Sequence, residues 1–164
     1  MLYIAKDLLA DRPKLNVLHI TGKANFDSVS NSYKNSLSSE LLQQVKIVDF
    51  TNELDVYSGS ADVVVMRAGA TNLAEMAIQS KACILVPNPQ LTGGHQLKNV
   101  HYWLSSKSVM VYDETDPADQ LKSSIVNLLD NDENRNRLET AIHNLAKPNA
   151  SKEIANILIN LTYA

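Results

Sequence analysis

Residues 61–86 read Ala61-Asp-Val-Val-Val-Met-Arg-Ala-Gly-Ala-Thr-Asn-Leu-Ala-Glu-Met-Ala-Ile-Gln-Ser-Lys-Ala-Cys-Ile-Leu-Val86. The runs 61–66 and 82–86 are short and β-rich, and neither Val63 to Val65 nor 82–86 has a polar face. Runs of that kind suit strands covered on both sides. Between them, residues 72–79 carry apolar positions at helical spacing. A strand, a helix and a second strand in this order imply a parallel crossover, because parallel neighbours need a connection that returns over the sheet.

The alternation continues outward. Residues 16–21 and 45–50 read as two earlier strands, and residues 109–112 as a later one. Helical spacing marks residues 2–10, 26–43 and 96–106, and one or two turns at 52–58. Three further helices are predicted at 117–129, 133–145 and 150–161, with Pro117 well placed at a helix start after Asp116. Five strands separated by helices predict an α/β fold with a doubly wound parallel sheet. The first element is a helix, whereas a doubly wound nucleotide fold normally opens with a strand and a glycine-rich phosphate loop. The pattern therefore predicts a sheet lacking its first strand.

Composition bounds the function. The chain has 164 residues, 45% of them hydrophobic and 20% charged, which predicts one globular domain with its own core. The sheet core is expected over residues 1–146 and a closing helix over 147–164. A net charge of −3 supplies no basic field for nucleic acid. The single cysteine, Cys83, excludes an internal disulfide framework, and its strand context favours an inert thiol. His19, His101 and His143 have no metal-ligand spacing and read as structural or surface residues. The first dozen residues lack the pattern of a signal peptide. No apolar run approaches the ~18 residues of a membrane span. The five glycines are Gly22, Gly59, Gly69, Gly93 and Gly94, from which no dinucleotide or P-loop fingerprint can be assembled.

Ligands of open α/β sheets bind beyond the carboxyl ends of the strands, so the segments there carry the candidate chemistry. After the third strand, Gly69, Ala70, Thr71 and Asn72 are small or capping residues at a helix start, where bare N–H groups and the helix dipole can hold phosphate. Glu75 follows one turn later. Its carboxylate can accept hydrogen bonds from ribose hydroxyls, or it can close a capping box with Asn72. After the fourth strand, Pro87 and Pro89 predict a stiff exit. Gly93 and Gly94 permit close approach to a ligand, and His95, Gln96 and Asn99 offer polar groups to a sugar or to the loop itself. Phe50 and Thr51 end the second strand. Phe50 can hold a flat base or belong to the core. Trp103 and Tyr102 read as packing residues, and Ile154, Ile157, Leu158 and Leu161 as a docking face.

The stretch from Ala61 to Glu75, followed by Pro87 and by His95-Gln-x-x-Asn99, resembles the C-terminal, donor-binding domain of glycosyltransferase family twenty-eight. His19-Ile-Thr-Gly22 and Asn149-Ala-Ser-Lys-Glu-Ile-Ala-Asn156 add to the likeness, which runs from Leu2 to Leu161. The resemblance implies a Rossmann-like C-terminal half of a GT-B enzyme, an inverting hexosyltransferase with UDP-N-acetylglucosamine as donor. It implies a lipid-linked muramyl-pentapeptide acceptor, a place in peptidoglycan synthesis and no tightly bound cofactor or metal. By position, Gly69, Ala70, Thr71 and Asn72 would face the diphosphate and sugar, Glu75 the ribose, Phe50 and Thr51 the uracil, and His95, Gln96 and Asn99 the donor sugar. The family usually has Gln-Gln where this chain has His95-Gln96. Arg67 stands at a variable position and receives no role. The catalytic base is expected in an N-terminal acceptor domain or subunit, toward which the closing helix would pack. This chain alone is expected to bind a UDP-sugar weakly and to lack transferase activity. The complete enzyme is expected in the cytoplasm, peripheral at the inner face of the membrane. Two rivals follow: the donor subunit of a two-chain transferase, and a non-catalytic nucleotide-sugar module.

Overall fold

The computed structural model describes residues 1–88 and 95–162, with the side chains of residues 95–99 outside that description. Among the described residues there are five strands: β1 (Val17–Ile20), β2 (Val45–Val48), β3 (Val63–Met66), β4 (Ala82–Leu85) and β5 (Met110–Val111). The described residues also form nine α-helices, α1 (Leu2–Ala10), α2 (Phe26–Ser36), α3 (Ser39–Leu42), α4 (Leu54–Ser60), α5 (Ala70–Ile78), α6 (His95–Ser105), α7 (Ala118–Asp130), α8 (Asp132–His143) and α9 (Ala150–Thr162), and a short 3-10 turn at Lys23–Asn25. Every strand pairing is parallel, as the strand–helix alternation predicts. The five strands form two sheets, β1-β2 and β3-β4-β5, so the ladder is interrupted between β1 and β3.

β4 shows why its sequence is uniformly apolar. Side chains of successive strand residues point to opposite faces. Ala82 and Ile84 enter one core with Ile4 and Leu8 of α1 and Leu121, Ile125 and Leu128 of α7. Cys83 and Leu85 enter another with Leu73, Met76 and Ala77 of α5 and Ile142 of α8. All four β4 residues are completely buried. β3 is only partly buried along its length, because it pairs on one side alone. α1 spans the interruption: Ile4 and Leu8 face the three-stranded sheet, while Ala5 and Leu9 pack with Tyr33, Leu37 and the β1-β2 side.

The single helix read over 26–43 is two. Leu37 is extended at φ −111° and ψ 148°. Ser38 then starts α3 by accepting a hydrogen bond from the Leu41 N–H at its own hydroxyl. A serine competes for backbone donors in this way and favours a cap over a helix interior.

α5 and α6 both end in left-handed residues, Ser80 at φ 55° and Lys107 at φ 53°. The N–H of Lys81 reaches back to the carbonyl of Met76 and that of Ser108 to Trp103, which is the six-to-one bond of a Schellman motif. Glycine is the usual occupant of such a position, and this glycine-poor chain uses other residues.

Candidate functional site

The strand ends place the candidate groups along one edge. β1 exits through Gly22, whose φ of 76° and ψ of 147° lie in a region that glycine enters without penalty. Thr21 fixes that exit, its hydroxyl donating to the Gly22 carbonyl at 3.0 Å and the Val48 carbonyl at 3.3 Å.

Past β2, the Phe50 ring is 58% exposed, which removes it from the core and leaves a flat apolar face toward solvent. The ammonium of Lys23 lies 5.6 Å from the ring centre. The Phe50 N–H is already engaged by the Asp49 carboxylate at 2.7 Å, and the Thr51 hydroxyl accepts from the Glu53 N–H at 2.9 Å.

Beyond β3 the chain enters α5 with Gly69 as N-cap, and Gly69 has ordinary extended backbone at φ −74° and ψ 134°. The reason for glycine here is therefore not a left-handed backbone. Among the described residues a Cβ at this position would meet nothing within 4 Å, so the glycine leaves space there in front of the helix. The helix begins at Ala70, two residues earlier than the pattern predicts, and no side chain caps it. The first intrahelical bond of this turn runs from the Leu73 N–H to the Gly69 carbonyl at 3.0 Å. The N–H groups of Ala70, Thr71 and Asn72 thus stand at an exposed, uncapped helix start, which is a ready anion site.

With the helix starting at Ala70, Asn72 is its third residue and cannot serve as N-cap. The capping box is absent. The Glu75 carboxylate makes no hydrogen bond or ion pair among the described residues and remains partly exposed. Of the two readings of Glu75, the structural one loses its partner.

Arg67, to which the sequence assigns no role, makes three side-chain hydrogen bonds at this edge. Its guanidinium donates to both oxygens of Glu114, at 2.8 and 2.9 Å, and to the Val86 carbonyl at 3.2 Å. One side chain thereby joins the ends of β3, β4 and the segment after β5. The Arg67 guanidinium holds the Glu114 carboxyl below its usual range, hydrogen bonding being the larger cause. Glu114 lies 47 residues from Arg67, and no local pattern signals the pair.

His95, Gln96 and Asn99 fall in the first turns of α6, and their side chains lie outside the described residues, as do Pro89, Gly93 and Gly94 entirely. Cys83 is fully buried, and burial pushes its thiol up to about 12, which leaves it a packing group. Among the described residues no cluster of three or more His, Cys, Asp and Glu side chains could hold a metal ion. No described helix is long and apolar enough to cross a membrane.

A parallel α/β domain with, among the described residues, an uncapped helix start and an unpartnered carboxylate beyond one strand has the strand-end arrangement at which open α/β sheets bind ligands. The glycosyltransferase family 28 C-terminal domain profile matches residues 2–156, and the chain belongs to that family. A relative from Myxococcus xanthus is 31% identical over 96% of this chain and 40% of its own length. Another, from Anaeromyxobacter dehalogenans, is 32% identical over 93% of this chain and 39% of its own. Both are named UDP-N-acetylglucosamine–N-acetylmuramyl-(pentapeptide) pyrophosphoryl-undecaprenol N-acetylglucosamine transferase. The chain thus spans about two-fifths of the length of these relatives. The crystal structure of Acinetobacter baumannii MurG shares the fold, with a TM-score of 0.74 at 17% identity, covering 96% of this chain and 48% of that one. The glycotransferase of kitacinnamycin shares it with a TM-score of 0.63 at 15% identity, covering 94% of this chain and 38% of that one.

Proposed function

We propose that this chain is the UDP-N-acetylglucosamine-binding part of an inverting glycosyltransferase that acts on a lipid-linked muramyl-pentapeptide in peptidoglycan synthesis. The observation that carries the reading is the uncapped start of α5 beside Glu75, whose carboxylate has no partner among the described residues. The N–H groups of Ala70, Thr71 and Asn72 would bind the diphosphate, helped by the positive end of the helix dipole. Glu75 would accept hydrogen bonds from both ribose hydroxyls. The exposed Phe50 ring and the backbone at Thr51 would hold the uracil. His95, Gln96 and Asn99 would meet the sugar.

In the complete enzyme an acceptor hydroxyl attacks the anomeric carbon from the face opposite the diphosphate. A new carbon–oxygen bond forms as the bond to the diphosphate breaks. UDP leaves with the bonding electrons, and the hydroxyl proton goes to a base. That base would come from an N-terminal acceptor domain or subunit. The α5 N–H groups would stabilise the charge that grows on the departing diphosphate. The role of this chain is thus donor binding and leaving-group stabilisation. α9 exposes Ile154, Ile157 and Leu158, and this apolar face would pack toward the acceptor half. The complete enzyme would work in the cytoplasm at the inner face of the membrane, where a lipid-linked acceptor is presented.

Titration calorimetry of the chain with UDP-N-acetylglucosamine tests the reading. Weak saturable binding, with no transfer to acceptor by this chain alone, is the expected result. A chain that is folded by circular dichroism and gives no binding heat at millimolar nucleotide overturns it.

A further inference from the structure

The strand-end edge carries more acid than base. Among residues with described side chains, the segments 21–25, 49–53, 67–70, 86–88 and 112–116 hold Asp49, Glu53, Asp113, Glu114 and Asp116 against two cations, Lys23 and Arg67. The Arg67 guanidinium is taken by both oxygens of Glu114 and by the Val86 carbonyl. The Lys23 ammonium has no ion pair or hydrogen bond among the described residues, and its contact is the Phe50 ring, 5.6 Å from the ring centre. An edge with surplus carboxylates repels an anion, so an uncommitted cation there has a large say in whether one binds.

The backbone places this cation beside Phe50. Ile20 and Val48 are register partners at the ends of β1 and β2, so the two strands exit side by side. The chain then turns at Gly22 and enters the 3-10 turn that Lys23 begins. That turn is tied to both strand ends. The Asn25 N–H donates to the Gly22 carbonyl at 3.1 Å, and the Asn25 side-chain amide to the Thr21 carbonyl at 3.3 Å. The Thr21 hydroxyl reaches the Val48 carbonyl at 3.3 Å. The Lys23 backbone is therefore held, while its exposed four-carbon stem stays free to reposition the ammonium. A cation on an exposed ring is weakly bound, whereas an ammonium on a phosphate oxygen makes a charge-assisted hydrogen bond. A phosphate within reach of the stem would take the ammonium from the ring.

We propose that Lys23 is a binding residue for the donor nucleotide, its ammonium pairing with the phosphate attached to the nucleoside. The assignment rests on the reading that the uracil lies at Phe50 and Thr51 and the diphosphate runs from there to the start of α5. With the base at Phe50, the inner phosphate stands one ribose away, a distance that a lysine stem spans. The two anchors then divide the diphosphate. The α5 N–H groups take the outer phosphate, which bears the sugar, and Lys23 takes the inner one against the acidic surroundings of the edge.

Chemical-shift titration of the chain with uridine, UMP and UDP separates base contacts from phosphate contacts. Dissociation constants are read for the parent chain, for Lys23→Met, which keeps the stem and loses the charge, and for Lys23→Arg, which keeps the charge. Lys23→Met should weaken UMP and UDP alike, by about fivefold or more, and change uridine by less than about twofold. Lys23→Arg should recover most of the loss. Added salt should weaken UMP binding to the parent more than to Lys23→Met, because an exposed ion pair is screened. This salt difference carries the distinction where uridine is too weak to titrate. Lys23 is exposed, so both variants should keep the parent's thermal midpoint. Unchanged UMP and UDP constants in Lys23→Met overturn the proposal and leave the donor-binding reading standing. An equal loss for uridine overturns it by assigning Lys23 to the base, and a loss for UDP without one for UMP overturns it by moving Lys23 to the outer phosphate. A folded parent chain that binds neither UMP nor UDP overturns the donor-binding reading itself, and the assignment of Lys23 falls with it.

Discussion

Arg67 grips Glu114 with two parallel hydrogen bonds, at 2.8 and 2.9 Å, and ties the end of β3 to the segment that follows β5. The side chains are about half exposed, at 48% and 50%, so solvent screens the pair and its net worth is roughly 0.2–1 kcal/mol despite the good geometry. We predict that Arg67→Lys, which keeps the charge and loses the fork, is destabilised by no more than about 1 kcal/mol in urea unfolding. The pH dependence has a definite sign. The folded-state pKa of Glu114 is depressed, so its contribution is present above its usual value of 4.5 and fades as pH falls through the folded pKa. Glu114→Gln should therefore approach the stability of the parent protein in acid and fall below it at neutral pH. A difference that is the same at both would contradict the assignment.

Gly69 separates stability from binding. Its backbone is one that alanine adopts freely, and a Cβ there meets no atom of the described residues within 4 Å. Gly69→Ala should leave stability unchanged or raise it by up to about 1 kcal/mol, through the entropy of the unfolded chain. The methyl would occupy the space in front of the α5 N–H groups. UDP affinity should then fall by about tenfold, or 1.4 kcal/mol, by calorimetry. Full retention of affinity would remove the start of α5 from the diphosphate site.

Much of this was legible because the decisive signals are local. Val63 to Met66 and Ala82 to Leu85 are apolar runs of strand length with a helix between them, and each became a strand of one parallel sheet. The features that were not legible depend on distance or on small backbone choices. Asn72 and Glu75 have the spacing of a capping box, but the chain enters α5 at Ala70, and the spacing then has no such meaning. Leu37 breaks a helix that its apolar spacing continues, because Ser38 caps the next one. Phe50 has the composition of a core residue and stands in solvent. The Arg67–Glu114 pair joins residues 47 apart, with no periodicity to announce it. The division into two sheets follows from which strand edges meet, and residue pattern along one chain does not encode that.

Glu75 is the sharpest test of the donor reading. Its carboxylate has no partner among the described residues, so Glu75→Ala should change stability by less than about 0.5 kcal/mol. If it accepts both ribose hydroxyls, UDP should weaken by at least about tenfold, as one hydrogen bond to a charged group contributes about 1.5–3 kcal/mol. The 2′-deoxyribose analogue, which already lacks one of those bonds, should lose less. Equal losses for the two nucleotides would place Glu75 away from the ribose.

Lys107 offers a gain. It is exposed and sits at φ 53° after α6, where the left-handed backbone costs a residue with a Cβ roughly 1–2 kcal/mol. Glycine relieves that cost and gives back about 0.4–1 kcal/mol through a freer unfolded chain. The balance favours Lys107→Gly by about 0.5–1 kcal/mol, visible as a higher denaturation midpoint with unchanged slope. A lower midpoint would show that the lysine side chain stabilises the turn by more than its backbone strain.

His19 gives the chain a second pH dependence, of the same sign as Glu114 but nearer neutrality. The ring packs edge-on against Tyr33, with centroids 5.8 Å apart, and its Nδ1 lies 3.1 Å from the phenolic oxygen. Burial lowers the pKa of His19 from 6.5, with a smaller effect of the same direction from the amino group of Met1. Burial also pushes the Tyr33 phenol up to about 12, so it stays protonated and can donate to the neutral ring. A depressed pKa means that the unfolded chain binds more protons, so stability is complete above pH 6.5 and declines as pH falls toward the folded pKa. We predict that unfolding in urea at pH 7.5 and pH 5.5 shows a smaller loss for His19→Gln than for the parent chain, because glutamine keeps a polar partner for Tyr33 and does not titrate. Equal losses would mean that protonation of His19 makes no contribution to this decline.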